Sequence, residues 1–422
     1  MKIIDIQAIQ ILDSRGNPTL SVDVILDDGS KGNFQVPSGA STGIHEAHEL
    51  RDKGKSFGGN SVYTAIDNIY SIKDELINKE LEQIQLDELL IKLDGTENKE
   101  KLGANAILGI SIAFAKASAK YYNLPLYKYL YKLANNNQNF QELTQIHLFA
   151  NIINGGLHAG NDLQVQEFMI LPTSGNLQEK IQMICEIYQI LKKLIGEKYG
   201  KSNTAVGDEG GFAPNISTPI EALELLNEAV KISGYEGKIS YALDAAASDF
   251  YNTETKLYEI ELGNKLDYKQ LTAYYQNLIE KYPLISIEDP ISEDDFDGFE
   301  YYMKNIKNLN NTNPLNNSDK SLCVGDDLLV TNPQRINLAI QKKLCNSLLL
   351  KINQIGTLTE SIQAHNLAKA QGWHTIVSHR SGETIDDFIS DLAVALESSI
   401  KLGAPARGER VAKYNRLLDI FK

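Results

Sequence analysis

Eight short apolar runs, many of them ending in a charged or polar residue, constrain the fold of this chain more than any other feature. They lie in the C-terminal two thirds and are, in order, IHLFANI, VQEFMIL, ISYALD, LISIED, SLCVGDD, SLLLK, TIVSHR and SIK. Only a loop separates the first two runs. Two helical stretches follow, and from Asp244 onward strand and helix patterns alternate. Buried strands that alternate with helices indicate a parallel sheet, and eight of them favour a closed α/β barrel.

The N-terminal third shows a different pattern, typical of an α+β unit. Residues 21–36 predict a hairpin that turns at Asp28-Gly29. Helical stretches are predicted at about 61–79, 84–93 and 104–122. The segment 134–145 is rich in Asn and Gln and is the best linker candidate. We therefore expect an N-terminal α+β capping domain over 1–133, a linker over 134–145 and a catalytic barrel over 146–422.

The charge balance excludes some partners. The chain has 41 Lys and Arg against 55 Asp and Glu, a formal net charge of −14. Such an acidic surface argues against nucleic acid as the main partner, because binding a phosphate backbone needs a basic face. A phosphorylated substrate would require a local cluster of cations, so bound metal ions are expected.

Targeting signals are missing from the sequence pattern. The N-terminus lacks the apolar core of a signal peptide, and no apolar stretch reaches the ~20 residues of a membrane span. Three widely spaced cysteines, Cys185, Cys323 and Cys345, without a C-x-x-C motif, are typical of reduced thiols. We expect a cytoplasmic protein.

Charged or ionisable residues stand at or near the ends of six predicted strands, where barrel enzymes carry their catalytic groups. They are Asp244, Glu288, Asp326, Lys351, His379 and Lys401. The three carboxylates, brought together, would repel one another and therefore imply a divalent cation. Oxygen ligands without Cys or His suit Mg²⁺. The alternative is a structural salt-bridge network.

Several longer motifs resemble those of the enolase family, in order and over nearly the whole chain. They include DSRGNPT (13–19), VPSGASTG (36–43), NGGLHAGN (154–161), VGDEGGFAPN (206–215), SIEDP (286–290), VGDDLLVTNP (324–333), SHRSGET (378–384) and IKLGAP (400–405). The resemblance implies an enolase-type barrel of ββαα(βα)6 order with an N-terminal α+β domain. It also implies a carbon–oxygen lyase that reversibly dehydrates 2-phosphoglycerate to phosphoenolpyruvate in glycolysis and gluconeogenesis.

The resemblance also implies roles for residues on the reacting side. Lys351 would be the base, kept unprotonated by crowding with other cations. Lys401 would bind the substrate carboxylate. Glu209 would be the general acid with Glu167 as its partner, since two neighbouring carboxylates push one pKa upward. Mg²⁺ with a Lys or His base is the general pattern of this superfamily.

The remaining implied roles concern the phosphate and the metal ions. Substrate binding is expected from His158, Gln166, His379, Arg380 and Ser381, with Arg380 and Ser381 as the phosphate clamp. Two Mg²⁺ per site are implied. Asp244, Glu288 and Asp326 would hold one, and the Ser41 loop would hold the second together with the substrate phosphate.

Two departures from the family pattern are visible. The loop Leu396-Glu397-Ser398-Ser399 is one residue shorter than usual, and we expect the shortening to be absorbed without moving Lys401. Enolases are typically dimers at least, but charged interface positions are altered. Ile9 and Asp419 replace arginines, Ser21 replaces a glutamate, and Glu409 is expected to lack its partner. We expect a homodimer with an altered, weaker interface.

Other functions remain open at this point. A superfamily relative such as a racemase, cycloisomerase or sugar-acid dehydratase would share the barrel and metal carboxylates, but not the Ser41 loop, GDEGG and HRS motifs together. A non-catalytic paralogue would be expected to lose Lys351, Glu209 or a metal ligand. Some enolases act as surface plasminogen receptors, and Lys422 offers the terminal lysine that they present. A terminal lysine that arose by chance is the favoured reading.

Overall fold

The N-terminal region is a small antiparallel sheet covered by helices. The computed structural model describes residues 1–39, 45–140, 143, 145–306, 313–315 and 320–422. The strands are β1 (Ile3–Leu12), β2 (Pro18–Leu26) and β3 (Lys31–Gln35), in the order β1-β2-β3. The helices are α1 (Tyr63–Ile72), α2 (Gln83–Asp94), α3 (Ala104–Tyr121) and α4 (Leu126–Ala134).

The predicted hairpin and three predicted helices are present, whereas β1 and α4 had not been assigned. The hairpin turns as expected, with the Ser30 carbonyl accepting from Leu26 N at 2.9 Å and Gly29 at φ +87°. Helix α3 packs on the sheet so closely that a Cβ at Gly32 would lie 1.9 Å from the Ala113 carbonyl oxygen. Only glycine allows this approach of helix and strand.

The C-terminal region contains a closed barrel of eight strands, which confirms the predicted number. Their order around the barrel follows the chain, and the last strand pairs with the first. The strands are β4 (Leu148–Asn154), β5 (Glu167–Pro172), β6 (Ile239–Asp244), β10 (Leu284–Glu288), β11 (Leu322–Gly325), β12 (Ser347–Leu350), β13 (His374–Ser378) and β14 (Ser399–Lys401).

The barrel is parallel except at one strand. β5 is antiparallel to both of its neighbours, β4 and β6. A parallel pair needs a crossover connection of a dozen or more residues, usually a helix, that returns the chain to the same end. Only a loop with one short helical turn joins β4 to β5, so the chain reverses direction there.

Helices surround the barrel, and a small sheet interrupts the alternation of strands and helices. The sheet comprises β7 (Tyr251–Asn252), β8 (Leu257–Glu261) and β9 (Asn264–Leu266), between β6 and the next helix. The helices are α5 (Leu177–Tyr199), α6 (Pro219–Ser233), α7 (Tyr268–Lys281), α8 (Phe296–Asn305), α9 (Pro333–Lys342), α10 (Ile352–Ile355), α11 (Leu358–Ala370), α12 (Phe388–Ala395) and α13 (Gly408–Ile420). Across the described part of the chain, no helix is long and apolar enough to cross a membrane.

The barrel interior is a packed core. Side chains from its strands form a separate apolar cluster that includes Phe149, Met169, Ile285, Val324 and Ile376. Such a core fills the barrel and leaves polar chemistry to its rim. The charged residues predicted at strand ends lie at one end of this core, which we call the mouth of the barrel.

Several contacts hold the N-terminal region on the barrel. Ser38 and Gly382 exchange backbone hydrogen bonds of 2.7 and 2.9 Å, which brings the 36–39 segment to the loop after β13. The buried carboxylate of Asp87 on α2 accepts from Thr359 N, at the start of α11, at 2.9 Å. The 36–39 segment and helix α2 therefore both lie beside the mouth of the barrel.

Two of the positions expected at an interface form ion pairs within the chain. Arg407 Nε donates to Glu409 at 2.8 Å, whereas the partner that Glu409 was expected to lack would belong to a second copy. Asp419 is paired with Arg416 at 2.9 Å and also with Lys422. Intrachain cations thus compensate both carboxylates.

Candidate active site

Lys401 lies at the centre of the mouth, at the end of β14. Its Nζ is 3.2 Å from Asp244 Oδ2, 2.9 Å from Glu288 Oε2 and 3.1 Å from Glu167 Oε1. In the loop before β14, Glu397 adopts φ +52°, and Lys401 pairs with Ser378 of β13. Three buried carboxylates therefore share one ammonium group.

Lys351 and Asp326 form a second, half-buried pair at the mouth. The Nζ of Lys351 donates to Asp326 Oδ2, and Gln354 Nε2 donates to Oδ1 at 2.8 Å. Burial lowers the pKa of Lys351 and Arg380 lowers it further, but Asp326 and Glu288 outweigh both and raise it. The expected depression of this pKa is absent while Asp326 accepts from the ammonium.

Glu209, Glu167 and His379 converge on the other side of the mouth, with candidate ligand atoms within 4.8 Å of one another. Glu209 Oε2 accepts from Asn151 Nδ2 at 2.8 Å, and Oε1 is 3.6 Å from His379 Nε2. Burial and the Glu209 charge raise the pKa of Glu167, with Lys401 opposing. Burial lowers the pKa of His379 well below its usual value.

The phosphate-clamp candidates receive partners that the sequence analysis missed. Arg380 donates to both carboxylate oxygens of Glu46 at 3.2 Å, and to Asn353 Oδ1 at 2.7 Å. Arg15 Nη1 lies 3.4 Å from Ser381 Oγ. The DSRGNPT motif marked Arg15, whereas no spacing or periodicity marked Glu46.

Two carboxylates beyond those predicted, Asp289 and Asp327, lie beside the expected metal ligand Asp326. Asp289 Oδ1 accepts from Asp326 N at 3.0 Å and Oδ2 from Asp327 N at 2.6 Å. Asp289 is buried and has φ +38°, a strained value for a residue other than glycine. The acidic doublets in SIEDP and VGDD were the available signal.

The expected metal ligands fit a divalent cation chemically, although they do not form a compact trio. Among described residues, the acidic trio with ligand atoms within 4.8 Å is Asp289, Asp326 and Asp327. Asp244 and Glu288 instead share Lys401. Burial and the charge of Asp244 raise the pKa of Glu288 well above its usual value. A divalent cation would relieve this repulsion, and an all-oxygen set suits a hard one.

Most predicted site residues border a single pocket. Its lining includes Gln166, Glu167, Glu209, Asp244, Asp326, Lys351, His379, Arg380, Ser381 and Lys401. Gln166 Nε2 donates to Asp244 Oδ2 at 3.2 Å, and Glu288 contacts the pocket through Lys401. His158 lies in the turn after β4. Ser41 falls outside the described residues.

Comparison with known proteins agrees with this geometry. Residues 3–130 match the family profile "Enolase, N-terminal domain", and residues 145–422 match "Enolase, C-terminal TIM barrel domain". The chain is 50% identical to "Enolase" of Methanocaldococcus jannaschii, over 99% of this chain and 95% of that protein. It is 49% identical to "Enolase 1" of Entamoeba histolytica, over 100% of this chain and 96% of that protein. It is 48% identical to "Enolase" of Solanum lycopersicum, over 98% of this chain and 94% of that protein. The chain therefore belongs to the enolase family of hydro-lyases, the phosphopyruvate hydratases.

Proposed function

We propose that the pocket at the barrel mouth catalyses the reversible dehydration of 2-phosphoglycerate to phosphoenolpyruvate, with the residues named above in distinct roles. The observation that carries the proposal is a single pocket lined by two lysines, Lys351 and Lys401, and by the neighbouring carboxylates of Glu167 and Glu209. The reaction needs a base for the C2 proton and an acid for the leaving hydroxide, and this arrangement supplies both.

Lys351 acts as the base in this proposal. Its pKa is lowered by burial, Arg380 and Lys401, and raised by Asp326 and Glu288. When Asp326 bonds to another partner, the lowering influences gain weight and the amine becomes available for the C2 proton. Lys401, fixed by its carboxylate contacts, attracts the substrate carboxylate.

Glu209 donates the proton to the departing hydroxide. Asn151 holds one of its oxygens, and the other lies towards His379, so the orientation of the carboxyl group is set before substrate arrives. Glu167 is the neighbouring carboxylate that shares the proton. Burial and the charge of Glu209 raise the pKa of Glu167, which favours the protonated form of that carboxyl group.

Arg380 and Ser381 bind the phosphate, supported by Arg15 behind Ser381. Arginine suits this task because its planar donors match phosphate oxygens. His158 and Gln166 complete the binding site by resemblance to the family, and Ser41 contributes near the phosphate.

Asp244, Glu288 and Asp326 would hold one Mg²⁺, and the Ser41 loop with the substrate phosphate would hold a second. Bound Mg²⁺ would supply positive charge that stabilises the negative charge developing on the substrate carboxylate. We further assign the domain limits 1–133, 134–145 and 146–422, and a cytoplasmic location.

Addition of 2-phosphoglycerate and Mg²⁺ to the purified protein tests the activity. Absorbance of the new carbon–carbon double bond should rise, and Lys351→Ala should abolish the rise. A matched control is Lys180→Met, which removes a buried lysine at the opposite end of β4, where Nζ donates to the Ile146 carbonyl at 3.0 Å. A flat absorbance with the unaltered protein would refute the assignment.

We propose that the protein is a homodimer joined through the patch around β1. Ile9 and Leu12, both on β1, are 61% and 57% exposed and would lose contact with water in such an interface. Glu409 and Asp419 are paired within the chain and need no partner from a second copy. Apolar burial would hold such a dimer, which should dissociate more readily than one with interchain ion pairs.

A further inference from the structure

Arg410, in the first turn of α13, is a buried cation that contacts two segments of the active site. It is 0% exposed, and its Nη2 donates to the Ser381 carbonyl at 2.9 Å and to the Asp208 carbonyl at 3.3 Å. Ser381 belongs to the proposed phosphate clamp, and Asp208 precedes the proposed acid, Glu209. One nitrogen therefore joins two backbone segments of the pocket that are far apart in the chain.

The packing around Gly403 makes the same connection. A Cβ at this glycine would lie 2.9 Å from the Glu209 carbonyl oxygen, 2.9 Å from His379 Cε1 and 3.1 Å from Arg410 Cδ. Glu209, His379 and Arg410 are thus all packed against the Gly403 backbone. A shift of the Arg410 side chain would be transmitted to the Glu209 backbone and to the His379 ring.

The positive charge of Arg410 is not balanced by a neighbouring carboxylate among the described residues. Among the described residues, no carboxylate lies within 4.0 Å of its guanidinium, although other cations of α13 are paired, such as Lys413 with Glu383 at 2.7 Å. Burying a cation without an anion is costly, and an apolar side chain of similar volume would fill the space at lower cost. The position therefore demands a donor that reaches two carbonyls.

We propose that Arg410 is a positioning residue that fixes the backbone of the acid segment relative to the phosphate-binding segment. A substrate held by Ser381 and Arg380 then presents its hydroxyl at a constant distance from Glu209. Lys351, on a different strand, is not attached to this link. This inference rests on the proposed function. It assigns to Arg410 the alignment of the phosphate-binding segment with the acid, Glu209.

Exchange of the C2 hydrogen with solvent and complete dehydration can be measured separately for Arg410→Met and Arg410→Lys. Because a misplacement of ~1 Å costs about 100-fold in rate, Arg410→Met should slow dehydration about 100-fold and C2 exchange less than about tenfold. It should also raise KM. Arg410→Lys should recover part of the dehydration rate, since an ammonium donates to carbonyls. Lys180→Met, which also removes a buried cation from a carbonyl, should leave the ratio of the two rates unchanged.

Hydrogen–deuterium exchange of the backbone amides gives a readout independent of activity. Segments 206–211 and 378–384 should lose protection together in Arg410→Met, and both should keep it in Lys180→Met. Equal slowing of C2 exchange and dehydration, or unchanged protection of either segment, would overturn the positioning role. Failure of the unaltered protein to exchange C2 hydrogen would instead count against the proposed function, while the protection data would still decide the link.

Discussion

Glu46 of the N-terminal region and Arg380 of the barrel form a buried, two-bonded ion pair, with both Nη atoms 3.2 Å from the carboxylate oxygens. Both side chains are only 5% exposed. The N-terminal region therefore helps to orient the cation expected to bind phosphate. It also places a negative charge beside the site of an anion, so the pair sets both the geometry and the strength of phosphate binding.

Glu46→Gln should tighten the binding of inorganic phosphate as a competitive inhibitor. The amide keeps one acceptor for Arg380 but removes the charge that repels the anion. We expect the inhibition constant to fall about tenfold, since ~1.4 kcal/mol corresponds to that factor. Inhibition assays with phosphate would measure it. Glu75→Gln, at an exposed position, is the control, and weaker inhibition in Glu46→Gln would show that orientation matters more than repulsion.

Lys351→Ala should abolish proton removal while leaving substrate binding largely intact. The side chain is the proposed base, and other cations bind the carboxylate and phosphate. Loss of C2 hydrogen exchange with solvent would report the first step, and calorimetric titration would report binding. Exchange at close to the unaltered rate would identify another residue as the base.

Glu209→Gln should slow dehydration more than C2 exchange. The amide preserves the hydrogen bond with Asn151 through its oxygen but has no carboxyl proton for the leaving hydroxide. We expect a loss of at least about 100-fold in dehydration, within the range of general acid catalysis. The rates of dehydration and of C2 exchange should be measured on one preparation of the variant. Equal losses in both rates would show that Glu209 is not the acid.

His365 should make the folded protein less stable in acid. This side chain is 5% exposed, and burial, with help from Lys369 and His374, lowers its pKa to about 4. The unfolded chain, with a pKa near ~6.5, binds more protons below that pH, so stability is complete above it and falls as pH decreases towards 4.

His365→Gln should therefore reduce the loss of stability between neutral pH and pH 5. We expect the difference to shrink by about 2 kcal/mol, from ~1.4 kcal/mol per pKa unit. Urea unfolding at both pH values provides the free energies. An unchanged difference would mean that other groups, such as His374, dominate the acid response.

The proposed dimer should dissociate within the micromolar range. Light scattering across a dilution series would follow its mass, and Ile9→Lys should shift dissociation to higher concentration by placing a charge in the apolar patch. A dimer that persists at nanomolar concentration would show that interchain ion pairs are dispensable. A monomer at millimolar concentration would eliminate this interface.

The residues at strand ends were predictable because a buried parallel strand must surface at its end, and polar side chains mark that point. This reasoning located Asp244, Glu288 and Lys401 at one mouth. It failed for Glu46, since no periodicity tells which loop of a second region rests on a barrel. It also failed for the protonation of Lys351, which depends on distances to individual carboxylates.

The reversed strand β5 has a consequence for how this protein accommodates change. The β4–β5 connection, residues 155–166, starts and finishes at the same rim of the barrel. Its length is therefore independent of barrel height, whereas a connection between parallel strands must travel the full height. A change of length here need not be matched anywhere along the barrel wall, and it would act on the connection that carries His158 and Gln166.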